Sequence, residues 1–169
     1  MSVDTKIRPL SGRDWDSIIA LERRAYSASG LSEDEAVLRS RGTDHSSCFV
    51  LEHRGQFGGY LLALPLPLFR CPDLERCESF EGRSDNIHTH DMVIRDEFRG
   101  QGFGSLLLTY LATTAQSRGF RTASLVAVHG TEVLWPRLGY RPHSELTLPA
   151  GYGASAVYMS MELKPPSEV

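Results

Sequence analysis

Apolar positions recur along the chain with two different periods, and each change of period marks a change of element. Lys6 to Leu10 alternates as a short strand. Ser11 and Asp14 then offer helix caps ahead of Trp15, Ile18, Ile19 and Tyr26, which fall on roughly one helical face. Ser32 with Glu35 fits a capping box before Val37 and Leu38, predicting a second short helix that ends near Gly42. Cys48 to His53 and Gln56 to Leu64 are apolar-rich runs separated by Arg54-Gly55, which reads as a hairpin between antiparallel strands.

From Pro65 to Asp85 the prolines at 65, 67 and 72 break any regular period, and the segment is expected to be a long surface connection of the kind that carries function or stays disordered. The pattern then becomes regular again. Asn86 to Ile94 reads as a strand. Gly102 to Arg118 reads as an amphipathic helix with Phe103, Leu106, Leu107, Tyr110 and Leu111 on its buried side, and Thr122 to Val128 as a buried strand. These three make a βαβ unit. Thr131 to Leu138 is expected as a short helix, and Tyr140 to Thr147 and Ala154 to Leu163 as two closing strands. The expected organisation is one domain over residues 1–164, with 65–85 as an inserted loop and 165–169 as a polar tail.

Composition narrows the class. At 169 residues and 41% hydrophobic, the chain can bury one sizeable core and not comfortably two. A net charge of -3 gives no electrostatic reason to expect nucleic acid or an anionic membrane as partner. Cys48, Cys71 and Cys77 form no even framework and no Cys-x-x-Cys pair, so free thiols in a reducing compartment are expected. MSVDTKIRPL has no apolar leader region and no stretch approaches the length of a membrane span, so the expectation is a soluble, unprocessed, cytoplasmic protein.

Between the strand ending at Ile94 and the helix beginning near Gly102 lies Arg99-Gly100-Gln101-Gly102-Phe103-Gly104. Its glycines remove side chains and let backbone N–H groups converge on an anion, the helix N-terminus adds donors and partial positive charge, and Arg99 adds a full charge. A pyrophosphate suits such a cradle. Gly-x-Gly-x-x-Gly spacing and a Gly-Lys-Ser or Gly-Lys-Thr triplet are both missing, which argues against a dinucleotide or a nucleoside triphosphate.

Arg99-x-x-Gly102-x-Gly104 directly after a strand resembles the signature of the GNAT superfamily of acetyltransferases. Met92-Val-Ile-Arg-Asp-Glu-Phe98 is similar to the family's strand end, and Leu134-Trp-Pro-Arg-Leu-Gly-Tyr140 to its second motif. The resemblance is specific over residues 87–142 and does not extend to the 65–85 insertion. It implies an α/β (α+β) fold with a mixed, mostly antiparallel sheet of about seven strands flanked by four helices, splayed between the strands ending at Ile94 and Val128. It further implies acetyl-CoA as cosubstrate, with the pantetheine arm in that gap. Met92, Val93, Ile94, Arg99, Gly100, Gln101, Gly102, Phe103, Gly104, Ser105 and Trp135 are the implied contacts, with no metal. The activity implied is direct transfer of the acetyl group to a primary amine within a ternary complex, the acceptor being a small metabolite, an arylalkylamine or an amino acid. A protein or peptide amine, or a non-catalytic acyl-CoA-binding module, are the alternatives. A homodimer through the last strands is common in the resembled family.

A protonated amine cannot attack a thioester, so the chemistry needs a base, donors for the oxyanion and help for the leaving thiolate. The strand Ile87-His-Thr-His-Asp-Met92 supplies His88, His90 and Asp91 as candidate bases; regular alternation places the two histidines on one face and Asp91 on the other. His88-x-His90 resembles the paired histidines of the arylalkylamine branch of the family, ranking both above Asp91. A backbone N–H at Val93 or Ile94 is the candidate oxyanion donor, a role that depends on a strand bulge. Where the family often places a tyrosine acid, this chain has Trp135, whose indole donates a hydrogen bond but does not titrate. Tyr158, Tyr152 or His129 are the replacements considered, with water as the other route and packing of the cofactor arm as the expected role of Trp135. Cys71, Cys77, His88 and His90 do not have the spacing of a zinc site. The insertion, the early helices and Pro149 to Ala154 are expected to frame the acceptor. Within the insertion, Arg70, Arg76 and Arg83 suit a carboxylate, Asp73, Glu75 and Glu78 a polyamine, and Pro65 to Phe69 an apolar tail.

Overall fold

The computed structural model describes residues 4–128 and 135–165. Seven strands form one sheet: β1 Thr5–Pro9, β2 Phe49–His53, β3 Gln56–Pro65, β4 Asn86–Ile94, β5 Thr122–Ala127, β6 Arg141–Pro142 and β7 Val157–Glu162, in the spatial order β1-β2-β3-β4-β5-β7-β6. Every neighbouring pair is antiparallel except β4 and β5, which the crossover helix makes parallel. Among the described residues there are three α-helices: α1 Trp15–Tyr26, α2 Glu35–Ser40 and α3 Phe103–Ser117. The fourth helix expected, over 131–138, lies partly outside the described residues, and its described portion, Trp135–Leu138, is a single 3₁₀ turn.

The sheet is covered on both faces, and β3 shows why it sits near the middle. Its run Gly58–Leu64 is buried throughout. Leu61 and Ala63 join the core under α3, with Leu107, Leu111, Ile87 and Leu125, while Tyr60 and Leu62 join the core under α1 with Trp15, Ile18 and Leu38. Each fully buried leucine contributes roughly 1.5–3 kcal/mol, so a strand apolar on both sides has only a central place to go. The hairpin before it turns at Arg54 and Gly55, both with positive φ (52° and 74°), the backbone that matches the twist of two antiparallel strands.

Four expectations change. The cap of α2 is Asp34, because the Ser32 hydroxyl is drawn away to donate to Glu22 Oε2 at 2.8 Å. On α3 the buried stripe is Leu107, Leu108, Leu111 and Ala115; Phe103 and Leu106 are half-buried against the same core, and Tyr110 is 37% exposed, its ring edge-on to Phe49. The strand expected over Tyr140 to Thr147 shrinks to Arg141–Pro142. Pro142 has no N–H for a ladder, and His143 to Leu146 closes a turn instead. The final strand begins at Val157, after a turn at Gly153.

Candidate active site

The parallel pair β4 and β5 sets up the site by parting. Asn86–Thr89 pair with Thr122–Leu125, but beyond Thr89 and Leu125 the ladder stops. β4 continues to Ile94 held by β3, and β5 to Ala127 held by β7. A cavity of about 430 Å³ opens where they separate, lined by Thr89, His90, Asp91 and Met92 from β4 and by Leu125, Val126 and Val128 from the β5 side. Glu22 and Tyr26 of α1, Leu31 and Glu33 of the following loop, Leu74 of the insertion, and Arg99, Trp135 and Tyr152 complete the described lining.

Arg99 joins this cavity to the glycine cradle. Gly100 and Gly102 have φ of 77° and 80°, a backbone that side chains resist, and a Cβ on either would project into open space. The cradle is therefore open as well as bare. Gly102 is the N-cap of α3, and Leu106 is the first residue whose N–H closes a helical bond, onto Gly102. The first-turn N–H groups of Phe103, Gly104 and Ser105 have no acceptor within the helix. Gln101 and Ser105 are exposed beside them. A Cβ on Gly104 would lie 3.3 Å from the Met92 methyl, so the helix start is packed directly on β4. The residues present thus fit a pyrophosphate at the cradle and an amide-bearing arm in the gap between the strands.

β4 is not regular. Leu62 pairs with Asp91 and Ala63 with Thr89, leaving His90 as an extra, bulged residue. Alternation therefore slips by one, and Asp91 lies on the same face as His88, opposite the paired Leu62 and Leu64, not on the other side as simple alternation implies. Val93 and Ile94 lie past the bulge, in regular register with Tyr60 and Gly59.

The slip separates the three candidate bases by environment. His88 is buried, its Nδ1 2.8 Å from Ser124 Oγ and its ring stacked on Tyr158, and burial pushes it down to about 3; it does not line the cavity. Asp91 does line it, with its carboxylate accepting from the Tyr26 hydroxyl at 2.8 Å and from the Tyr60 hydroxyl. Burial raises the Asp91 carboxyl despite those hydrogen bonds and the nearby His90. His90 lines the cavity too; its side chain is 3% exposed, with Nε2 hydrogen-bonded to Glu33 and Nδ1 buried without a partner among the described residues.

The replacements considered for a tyrosine acid also separate. Tyr158 is fully buried behind His88 and its hydroxyl accepts from the Phe69 N–H at 2.8 Å. Tyr152 reaches the cavity, but its hydroxyl donates to the Pro72 carbonyl at 2.7 Å and burial raises it. His129 lies outside the described residues. Trp135 lines the cavity and stands edge-on to Tyr140.

Glu22, Tyr26, Glu33, Arg41 and Tyr60 were not legible as site residues. Glu22 carried a usable signal: it falls four residues after Ile18 on the buried face of α1, where a carboxylate has no reason to be unless it is held. It accepts from the Ser32 hydroxyl and from the Glu33 N–H at 2.9 Å, and burial, with Asp91 and Glu33 nearby, raises it. The insertion lends Leu74 to the cavity wall and holds Arg41 through backbone carbonyls and the Glu78 carboxylate at 3.9 Å, which also pairs with Arg70; Arg76 is largely exposed. Pro67, Leu68 and Arg83 line a separate groove of about 930 Å³ at the end of the sheet where β4 and β5 are still paired, away from the cradle. Among the described residues no group of three or more His, Cys, Asp or Glu is placed to hold a metal ion.

A mixed sheet that parts beside a glycine-capped helix defines a fold for binding an acyl-CoA thioester, and the comparisons identify its family. The model of the acetyltransferase (GNAT) family matches residues 15–140, so the chain belongs to that family. Its structure is similar to Ard1 from Thermoplasma volcanium (TM-score 0.74, 16% identity, 96% of this chain and 99% of that one). It is also similar to the ribosomal-protein-S18-alanine N-acetyltransferase from Escherichia coli (0.71, 16%, 97% and 97%). N-acetylglutamate synthase from Neisseria gonorrhoeae, complexed with coenzyme A and N-acetyl-glutamate, matches at 0.71 and 19% identity over 97% of this chain and 36% of its own. No curated protein sequence matches the chain.

Proposed function

We propose that this protein transfers the acetyl group of acetyl-CoA to a small primary amine by direct attack within a ternary complex. The observation that carries the reading is the parting of β4 and β5 beside the cradle, with two ionisable side chains, His90 and Asp91, on the β4 lip of the cavity. Arg99, the Gly100 to Gly104 backbone and the α3 N-terminus would hold the pyrophosphate, and Met92 to Ile94 the pantetheine amides. A base at His90 or Asp91 would take the ammonium proton, so that the free amine attacks the thioester carbonyl and the CoA thiolate departs.

Charge and shape narrow the acceptor. Glu22, Glu33 and Asp91 line the cavity with His90, and Arg99 stands at its exposed mouth. Hydroxyls and a backbone N–H, rather than cations, satisfy Glu22 and Asp91. A cationic amine relieves that charge, whereas an α-amino acid brings a third carboxylate against two uncompensated ones. Leu31, Leu74, Val126, Val128 and Trp135 supply apolar wall. An arylalkylamine or alkylamine without a carboxylate fits both features.

The test is thiol release from acetyl-CoA across a panel of phenethylamine, 1,4-diaminobutane, alanine, glutamate and a peptide with a free N-terminus. Turnover of the carboxylate-free amines at least about tenfold above the amino acids, a gap worth about 1.4 kcal/mol, is the expected result. Preference for glutamate or the peptide overturns the acceptor assignment. Acetyl-CoA binding with no turnover of any amine favours a non-catalytic acyl-CoA module.

A further inference from the structure

His90 and Glu33 lie 57 residues apart and meet at the cavity wall. The structure assigns Glu33 a positioning role: its carboxylate accepts the His90 Nε2–H, fixing the ring in the tautomer whose Nδ1 lone pair serves as the proton acceptor. This rests on the reading of His90 as the base.

The geometry leaves little freedom. A carboxylate without its proton can only accept, so the nitrogen facing it carries the hydrogen and, in a neutral imidazole, the other does not. Burial alone would raise Glu33, but the His90 hydrogen bond and charge, together with Arg41, outweigh it and bring the group below the ordinary glutamate value. Nδ1 is the ring nitrogen without a partner, and the ring lines the cavity. An imidazole held this way at Nε2 has only Nδ1 left to take a proton; Nδ1 is buried as well as unpartnered, so the wall over it yields when the acceptor enters.

Glu33 is itself fixed from two sides. Its Oε2 accepts from Arg41 Nη2 at 3.0 Å and Nε at 3.2 Å, and its backbone N–H is held by Glu22. Arg41 is fully buried and donates onward to the carbonyls of Asp73 and Arg76 at 2.6 and 2.9 Å. Charge thus runs from the insertion through Arg41 and Glu33 to His90. The other titratable groups around the ring are Glu22 and Tyr26 on α1, Tyr60 on β3, His88 and Asp91 on β4, Tyr152 after β6 and Arg99 at the mouth.

The step balances. The acceptor ammonium gives one proton to Nδ1, and the imidazolium formed is stabilised by Glu33 through Nε2–H. As the C–N bond forms and the C–S bond breaks, the second N–H proton goes to the departing thiolate as CoA–SH. His90 then returns its proton to solvent.

Two readouts test this. Long-range ¹H–¹⁵N correlation of the labelled protein near neutral pH, with His90 assigned by loss of its signals in His90→Gln, reads the tautomer without any turnover. The hydrogen is expected on Nε2. In the amine assay, Glu33→Gln keeps an oxygen for Arg41 but removes the charge. It is expected to lower kcat about 10- to 100-fold with KM for the amine within about threefold. The ascending limb of kcat/KM against pH should move to lower pH, because the ring loses the negative charge that favours its protonated form. Glu33→Asp, which keeps the charge, should restore the limb. A hydrogen on Nδ1, or a limb that stays in place in Glu33→Gln, overturns the assignment. Absence of turnover in the unmodified protein counts against the enzymatic reading, while the tautomer still decides the Glu33 contact.

Discussion

Asp91 shows the cost of placing a carboxylate in the site. It is buried, satisfied by two tyrosine hydroxyls and no cation, and burial raises its carboxyl. A carboxyl raised in the folded state favours folding below the unfolded aspartate value of about 4 and loses that contribution as pH rises through the folded value. Asp91→Asn removes the penalty. The variant is expected to gain roughly 1 kcal/mol over the parent near pH 8, a gain that vanishes below about pH 4, while turnover falls at least tenfold. Urea unfolding at several pH values checks the first part and thiol release the second. A variant that loses stability at pH 8 would mean that the two tyrosines hold the charge better than this account allows.

The elements show what can be read along the chain and what cannot. β4 runs from Asn86 to Ile94 and α3 is bounded by Gly102 and Arg118, as the periodicity, the glycines and the strand-helix order imply. These signals are local, so one sequence carries them. The bulge at His90 is different: it depends on how β3 pairs across from it, and nothing in the alternation of residues 86–94 marks it. The same holds for Ser32, read as a cap until the distant Glu22 claims its hydroxyl. Arg41 and Glu33 were invisible as site residues because their partners come from four separate stretches of chain. The β2–β3 hairpin offers a prediction at this scale. Arg54 holds φ at 52°, where a side chain other than Asn or Gly is strained, and Asn-Gly is the preferred pair for such a turn. Arg54→Asn should raise stability by about 0.5–1 kcal/mol in urea unfolding, and an unchanged or lowered midpoint would mean that Arg54 makes a compensating interaction in the turn.

Across the described residues, the two cores clamp the sheet from both sides, and the site occupies the gap where β4 and β5 stop pairing. In the function proposed above, an amide-bearing arm would replace a missing strand there, and the cradle at the head of α3 would hold its phosphates. The central claim is therefore about binding, and thermal unfolding with acetyl-CoA, free CoA and ATP, each in large excess, tests it most directly. At about 100 times its dissociation constant a ligand contributes roughly 2.7 kcal/mol, which raises the midpoint of a chain this size by about 5 to 10 °C. The account predicts that shift with acetyl-CoA and with CoA and none with ATP; a midpoint unmoved by either CoA species would contradict it, leaving the glycine loop as a turn and the parted strands without an occupant.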